Sequence, residues 1–240
     1  MSRKSRAKPD SPFRRFNSSP KAIRLVVMIY VRFPLSLPSV EDLLFERGID
    51  ISHEAVRFWW NRFGSMFAAD IKWQRINRMR GFRQWRWHRD EMFVKINGET
   101  HYLWPAIDHE EEVLESYVTK KRDKKAALGF MKSALKNHGP VETITTDGLP
   151  SYKAAMSELG NQDRQEIGRW ANNREENSHL PFRRRQRVMQ RFRRMKSLQK
   201  FASVHTNVHN HFNSDRHLTD RHPYKATRSA ALAEWQSLMA

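Results

Sequence analysis

An Asn-Gly pair at Asn97 and Gly98 constrains the fold of this chain more than any other sequence feature. The segment before it, Met92–Ile96, alternates apolar and polar side chains, as does a strand with one buried face. Asn and Gly readily adopt the positive φ angles of two-residue hairpin turns, so the pattern predicts a β-hairpin. We expect its two strands over residues 90–96 and 100–107.

After the hairpin, the periodicity of apolar residues switches repeatedly between that of a strand and that of a helix. The predicted elements are a strand over 113–119, a helix from Asp123 to about 137, a strand over 141–146, a helix over 151–159, a strand over 164–167 and helical structure, either continuous or broken, from 178 to about 210. Antiparallel strands followed by alternating helices and strands predict an α/β fold, with a mixed sheet flanked by helices on both faces.

The segment before the hairpin is predicted to be helical. Ser39 and Ser52 are each expected to cap a helix, and Gly48 supplies the turn between these two helices. The expected helices cover residues 22–32, 40–47 and 53–63. Two helices joined by a short glycine-containing turn match the helix-turn-helix pattern of DNA-binding proteins, and an ordinary three-helix bundle is the alternative.

In the helix-turn-helix interpretation, the helix over 53–63 would lie in a DNA groove. Its polar residues would then be the candidate DNA contacts, namely His53, Glu54, Arg57 and Asn61. Its apolar residues would pack beneath them, namely Val56, Trp59, Trp60 and Phe63.

The charge of the chain points to a polyanionic partner. In 240 residues there are 44 Lys and Arg against 26 Asp and Glu, a formal net charge of +18. Nucleic acid is the simplest partner for such an excess, and a membrane surface is the weaker alternative. No stretch approaches the roughly 20 apolar residues that span a bilayer, and no signal peptide is expected. The absence of Cys excludes disulfides and Cys-based zinc sites and fits a cytoplasmic protein.

The charge is also unevenly distributed. Residues 71–89 contain seven Lys or Arg and no acid, residues 90–115 contain eight acids and one Lys, and residues 181–200 contain nine Lys or Arg and no acid. An acidic segment between basic segments suggests a metal site within a DNA-binding surface. Any one of these runs taken alone is more often a solvated face. Aromatic residues interleave the first basic run, which we interpret as a linker with some DNA contact.

Three carboxylates are placed where separate elements begin or end. Asp90 heads the first predicted strand, Asp147 follows the apolar run 141–144, and Glu176 heads the long basic helix. Carboxylates on separate elements of a basic chain suggest divalent metal ions acting on phosphates, because hard cations prefer several carboxylate oxygens. His205 and His209 have a spacing that can bind zinc, but we expect them to pack or to contact DNA.

The residues around these carboxylates resemble the three catalytic blocks of the DDE transposases of the insertion-sequence-six family. The first block is Asp90-Glu91 with Val94 to Gly98, Tyr102-Leu103-Trp104 and Ala106-Ile107-Asp108; the second is Thr146 to Tyr152; the third is Asn172-Asn173-Arg174 and Glu176 to His179, with Arg183 to Arg185 and Met189 to Phe192. The likeness also covers the helix-turn-helix region and residues 203–213, and thus most of the chain beyond residue 20.

The resemblance implies a ribonuclease-H-like catalytic domain preceded by an all-α helix-turn-helix DNA-binding domain. It implies that Asp90, Asp147 and Glu176 are catalytic and hold two Mg²⁺ ions, with Mn²⁺ able to substitute. It also implies binding to terminal inverted repeats, nicking of the element ends and attack of the 3′-hydroxyl on target DNA in replicative, cointegrate-forming transposition. Because two DNA ends must be held together, we expect a homodimer or a higher oligomer on chromosomal or plasmid DNA.

The resemblance also identifies candidate DNA contacts in the third block. Arg183 lies seven positions after Glu176, where these enzymes often place a basic residue that holds DNA. The rest of the basic run is expected to contact DNA as well, namely Arg184, Arg185 and Arg187. Glu175 remains a rival to Glu176. Asp108 and the acids at 110–112 are rivals that we interpret as a solvated hairpin turn.

These features divide the chain into five predicted segments. They are a disordered basic arm (1–20), the helix-turn-helix domain (21–68), a basic aromatic linker (69–88), the catalytic domain (89–212) and a C-terminal helical tail (213–240). A DNA-binding regulator, a nuclease acting on RNA–DNA hybrids and an inactive transposase remnant are the alternative functions. The regulator would leave the three ordered acidic blocks without a role.

Overall fold

The computed structural model describes residues 11–78, 84–89, 91–108, 112–146, 148–167, 172–189, 192–213 and 220–239, and it describes the backbone alone at 84, 85, 89 and 172–179. The helices are α1 (Pro20–Arg32), α2 (Leu37–Phe45), α3 (His53–Arg78), α4 (Lys124–His138), α5 (Pro150–Leu159), α6 (Asn172–Val188), α7 (Met195–Phe212) and α8 (Arg221–Ser237). The strands are β1 (Gln84–Arg89), β2 (Met92–Ile96), β3 (Glu99–Asp108), β4 (Val113–Thr119), β5 (Val141–Thr146) and β6 (Gln165–Ile167).

The six strands form one mixed sheet. Strand β3 pairs antiparallel with β4 along one edge, and with β2 and then β1 along its other edge. Strand β5 runs parallel to β1, and β6 runs parallel to β5. The predicted hairpin is confirmed, because Ile96 pairs with Glu99 across a turn in which Asn97 and Gly98 have φ angles of 51° and 85°.

Strands β1 and β2 act as one arm of this hairpin. Trp87 is the partner of Asp108 and Met92 is the partner of Leu103, so five steps along one arm match five along the other. The strand predicted over 90–96 is therefore wrong at its start: strand pairing begins at Gln84, and Asp90 itself lies outside the described residues. The reason is that Trp87 is fully buried in the core, which draws the preceding basic residues into the sheet.

Helices cover both faces of the sheet, as predicted. One apolar core, which includes Trp104 and Phe130, lies between the sheet and helices α4 and α5. A second core joins Val94 and Leu103 of the sheet to helices α1, α2, α3, α7 and α8. The N-terminal helices and the sheet therefore share one core, and the predicted inward residues of α3 are buried there, namely Val56, Trp59, Trp60 and Phe63.

Helix α3 extends 15 residues beyond the predicted end at residue 63. Buried side chains continue along it through Phe67 and Ile71, so the apolar face does not stop there. The helix continues through Gly64. A Cβ at that position would come within 2.6 Å of the Trp60 ring, so glycine lets the ring lie against the backbone. Much of the predicted linker over 69–88 is thus the end of α3 together with β1.

Two other expectations about helices needed correction. Ser36, rather than Ser39, caps α2, because its Oγ accepts a hydrogen bond from the Ser39 amide at 3.1 Å. The helical structure expected from 178 to 210 starts earlier, at Asn172, and it takes the broken form, as α6 and α7. The C-terminal segment contains helix α8, whose Trp235 is buried and donates a hydrogen bond to the Arg24 carbonyl at 2.9 Å. Within the described residues, no helix is long and apolar enough to cross a membrane.

Candidate active site

The ends of β1 and β5 lie side by side. These parallel strands pair from Gln84 and Val141 to Arg89 and Thr146, which are the last residues of both strands. The carboxyl ends of parallel strands meet at one edge of a sheet, where sites commonly form. Asp90 and Asp147 directly follow this last pair in the sequence, and both lie outside the described residues.

The residues on either side of position 147 are well anchored. Thr146 is buried, and its Oγ1 accepts hydrogen bonds from Gln165 Nε2 at 3.0 Å and from the Gly148 amide at 3.4 Å. Gly148 has a φ of 82°, and a Cβ there would lie 3.2 Å from Ile167 Cγ2. The positive φ therefore favours glycine at this position, and the Ile167 side chain lies close to the turn after β5.

Glu176 lies in the first half of α6, a part of the helix whose side chains are not described. The second half of α6 is anchored to the protein. Phe182 is buried with its ring 5.8 Å from that of Phe201, and Arg183 Nη1 donates a hydrogen bond to the Phe93 carbonyl at 3.1 Å. Arg183, predicted to hold DNA, thus also ties α6 to strand β2.

Arg185, a predicted DNA contact, is buried inside the protein. Its side chain is only 1% exposed, its Nε donates a hydrogen bond to the Tyr30 carbonyl at 3.0 Å, and its Cζ lies 4.4 Å from the centre of the Tyr30 ring. Burial lowers the pKa of Arg185, and Tyr30 partly offsets this effect. Arg185 therefore packs α6 onto α1 instead of presenting its charge on the outer surface.

The other predicted DNA contacts are accessible to different degrees. Arg57, Asn61, Arg184 and Arg187 are exposed, and Arg183 is partly buried. Asn61 accepts hydrogen bonds from Lys200 Nζ through its carbonyl at 2.8 Å and through Oδ1 at 3.3 Å. The outer face of α3 is therefore linked to α7, and its exposed polar residues lie on a well-supported helix.

Sequence reasoning missed a buried ion pair next to position 90. Glu91, with its side chain 1% exposed, accepts hydrogen bonds from Arg122 Nε at 2.8 Å and from Arg122 Nη2 at 3.3 Å. Arg122 lies between β4 and α4, so this two-point contact holds the junction of β1 and β2 against that loop. The Asp90-Glu91 motif was noted in the sequence, but nothing local indicates that Arg122 lies across from Glu91.

Most described carboxylates of the acidic segment over 90–115 are paired with cations of the protein. Lys120 Nζ lies 2.9 Å from Glu99, and Lys72 Nζ lies 2.8 Å from Glu115. Arg75 of α3 lies 3.4 Å from Glu112. These pairs mainly join α3 to the sheet, so Glu112 and Glu115 of the acidic segment, and Lys72 and Arg75 of the preceding basic run, have partners within the protein.

Asp108, at the end of β3, is not solvated as we expected of this hairpin turn. Asp108 is only 1% exposed, and its Oδ1 accepts a hydrogen bond from the Glu112 amide at 2.9 Å. Arg75 lies near both carboxylates. Asp108 and Glu112 are therefore part of a buried charged cluster at the α3 interface, and the acids at 110 and 111 lie outside the described residues.

Glu115 shows how strongly this interface acts on a carboxylate. Burial acts to raise the pKa of Glu115, but His138, Lys72 and Asn137 outweigh it and lower the pKa to about 2. Lys72 Nζ and Asn137 Nδ2 each donate a hydrogen bond to Glu115 Oε2 at 2.8 Å. One carboxylate thus joins α3, β4 and α4.

The histidines of α7 lie within the protein. His205 is buried beside Phe182 and Phe201, and burial, then His209 and Arg185, lower its pKa to about 3. Among the residues whose side chains are described, no group of three or more potential metal ligands occurs. His205 is thus a neutral packing residue.

The sequence is also similar to a protein family and to several known proteins. The family DDE_Tnp_IS240, described as a DDE domain, matches residues 84–215. Two curated transposases of Staphylococcus aureus, those of the insertion sequence-like element IS431mec and of IS257 in transposon Tn4003, are each 31% identical over 147 residues. An uncharacterised protein of Methanocaldococcus jannaschii, MJ0017, is 29% identical over 147 residues, covering 60% of this chain and 64% of its own.

The match to the staphylococcal relatives covers 61% of this chain and 62% of theirs, so the chain spans less than two thirds of their length.

Solved structures give weaker likenesses. The Mos1 transposase catalytic domain, solved with raltegravir and Mg, has a TM-score of 0.37 and 14% identity over 72% of this chain and 96% of that chain. A simian T-cell lymphotropic virus intasome bound to a PP2A regulatory subunit has a TM-score of 0.43 and 15% identity over 57% and 52%. The DDE-domain match and the sheet topology together confirm the expected ribonuclease-H-like fold.

Proposed function

Since the chain belongs to the DDE transposase family of the insertion-sequence-six elements, we propose that it cuts DNA at element ends and joins the freed 3′-hydroxyl to target DNA. The observation that carries this proposal is the pairing of Arg89 with Thr146 at the ends of two parallel strands. Because Asp90 directly follows Arg89 and Asp147 directly follows Thr146, this pairing supports one site shared by the two carboxylates.

The described neighbours fit a site for divalent metal ions. Adjacent strands lie about 4.8 Å apart, so carboxylates one step beyond a paired position are close enough to share a cation. Glu91 is neutralised by Arg122, which favours Asp90 over Glu91 as the proposed metal ligand. We assign Asp90, Asp147 and Glu176 as ligands of two Mg²⁺ ions, for which Mn²⁺ can substitute.

Each residue then has a distinct role in the reaction. Two bound Mg²⁺ ions supply activation of the attacking oxygen and stabilisation of the leaving 3′-oxygen. Asp90 and Asp147 would hold these ions, and through them the reacting phosphate, at the edge of the sheet. Thr146 and Gly148 hold the turn that carries Asp147, and Arg183 orients α6, and with it Glu176, relative to β2.

DNA binding is proposed to use exposed residues outside the sheet. Arg57 and Asn61 on α3 would contact the terminal inverted repeat, and Arg184 and Arg187 on α6 would contact phosphates of the element end or the target. A net charge of +18 supports many phosphate contacts. Two ends must be held in one complex, so we propose at least a dimer on DNA and a replicative reaction that produces cointegrates.

A strand-transfer assay tests this function. The full chain would be incubated with Mg²⁺, a supercoiled target and a labelled duplex that carries the candidate terminal repeat. We expect joined product from the wild type and from Asp163→Asn, an exposed acid on the turn before β6, and none from Asp147→Asn. Repeat-specific binding without cleavage in Mg²⁺ or Mn²⁺ would contradict the proposal and favour a helix-turn-helix regulator or an inactive remnant.

A further inference from the structure

A basic cavity lies away from the strand ends. It has a volume of about 350 Å³ and opens between the end of α1, the second half of α6, the end of α7 and the start of α8. Four arginines line it, namely Arg32, Arg184, Arg185 and Arg228. Among the described lining residues there is no carboxylate.

Carboxylates neutralise several of the partly buried cations elsewhere in the protein. Lys72, Arg75 and Arg122 each have a carboxylate partner. Within the described part of the chain, none of the four cavity arginines has one. No described carboxylate therefore compensates their positive charges, and an anion that enters the cavity would do so.

The contacts of the cavity arginines hold them in place without neutralising them. Arg228 Nη1 donates a hydrogen bond to the Phe212 carbonyl at 2.6 Å, and its Cζ lies 5.4 Å from the Tyr224 ring centre. The Cζ of Arg32 lies 4.5 Å from the ring centre of Phe212 and 4.9 Å from that of Phe33. The guanidinium groups are thus pre-organised by aromatic rings and a backbone carbonyl.

For two of the arginines, the unfavourable effects of burial and of neighbouring positive charge can be identified. Burial, and then the charge of Arg228, lower the pKa of Arg32. Arg185 Nη1 and Nη2 are buried and have no hydrogen-bond acceptor in good geometry among the described residues. A ligand with several charged oxygens would relieve both effects. A phosphate group offers more acceptor oxygens than a carboxylate and matches the guanidinium fork.

We infer that this cavity binds a phosphate group, and that the phosphate belongs to a bound DNA strand. The second part rests on the proposed function. Arg184 lies eight residues after Glu176 on α6, which is about 12 Å along the helix. A DNA strand advances about 3.4 Å per nucleotide, so a strand running along α6 would bring a phosphate three or four steps from the reacting one to the cavity.

Thermal unfolding in inorganic phosphate tests the first part without any catalysis. Relative to sodium chloride at equal ionic strength, phosphate is expected to raise the Tm of the full chain by about 2–4 °C. Arg184→Gln, which alters an exposed lining residue, should abolish this increase. Arg187→Gln is the matched control, because Arg187 is exposed on the same helix but does not line the cavity. Equal Tm values for the wild type in both salts would overturn the cavity assignment.

Ethylation of single phosphates tests the second part. In a repeat duplex, ethylation of one backbone phosphate should weaken wild-type binding about tenfold and should have no effect on Arg184→Gln, whereas Arg187→Gln should remain sensitive. If phosphate raises the Tm but every ethylated position affects Arg184→Gln as it affects the wild type, the cavity takes free phosphate and the DNA assignment fails. Neither assay requires strand transfer, so failure of the proposed catalytic function can be distinguished from failure of the cavity assignment.

Discussion

Arg122 neutralises Glu91, the residue that directly follows Asp90, by donating two hydrogen bonds to its carboxylate. The carboxylate is almost fully buried, whereas the guanidinium is about one-third exposed. Because the pair joins the β1–β2 junction to the loop before α4, it supports the strand end that precedes the proposed metal ligand. The local stability of the candidate site is therefore tied to an ion pair next to Asp90 in the sequence.

Glu91→Gln is expected to lower the free energy of unfolding by about 2 kcal/mol, since it leaves Arg122 without its charged partner near the core. Urea unfolding at pH 7 would measure this. Glu99→Gln is the matched control, because Glu99 pairs with Lys120 at the surface, with both side chains more than 60% exposed, and no measurable change is expected there. Equal effects of the two substitutions would contradict the structural role of Glu91.

Glu115 should make stability dependent on pH in the acidic range. Its folded pKa of about 2 lies below its usual value of 4.5, so its stabilising contribution is present above about pH 4.5 and is lost as the pH falls towards 2. At pH 7, Glu115→Gln is expected to cost about 2–3 kcal/mol. Urea titrations of both proteins at pH 7, 5 and 3 should show this difference shrinking between pH 5 and 3. A constant difference would be evidence against the depressed pKa.

Gly148→Ala is expected to be more harmful than Gly160→Ala. Both glycines have positive φ, 82° and 66°, but only at Gly148 would a Cβ meet a neighbour, Ile167 Cγ2 at 3.2 Å. The backbone term should cost each variant about 1 kcal/mol, and the contact should add about another 1 kcal/mol at Gly148. Thermal and urea unfolding would compare the two variants. Strand transfer should also fall in Gly148→Ala. Equal free energies of unfolding for the two variants would rule out a steric contribution from Ile167.

Arg185→Ala should destabilise the protein, whereas Arg187→Ala should not. Truncation of Arg185 removes the hydrogen bond to the Tyr30 carbonyl and the stacking on the Tyr30 ring, which together contribute about 2 kcal/mol. Arg187 is exposed on the same helix, and its truncation should leave unfolding within about 0.5 kcal/mol of the wild type. Circular dichroism during urea unfolding would measure both. An unchanged midpoint for Arg185→Ala would refute the packing role.

The elements that follow from local chemistry were predicted well. The Asn97-Gly98 turn, the strand over 113–119 and the helix capped by Asp123 depend on residues within one or two turns of each other, and the structure confirms them. Strand β1 was missed because its basic and aromatic residues resemble a linker until Trp87 is seen to fill the core. The end of α3 was missed for the same reason, since burial beyond Phe63 comes from elements distant in the sequence.

By itself, the sequence determined the mixed α/β class, the order of the strands and helices after the hairpin turn, and the family resemblance of the three acidic blocks, because periodicity, caps and turn residues act over short distances. Only the tertiary structure decided which charges are available. Lys72 meets Glu115 from 43 positions away, and Arg185 meets Tyr30 from 155 positions away. A run of Lys, Arg or Glu gives no sign of such partners. Whether a charged side chain neutralises another one, packs on a ring or remains open to an anion depends on where the folded chain places its neighbours.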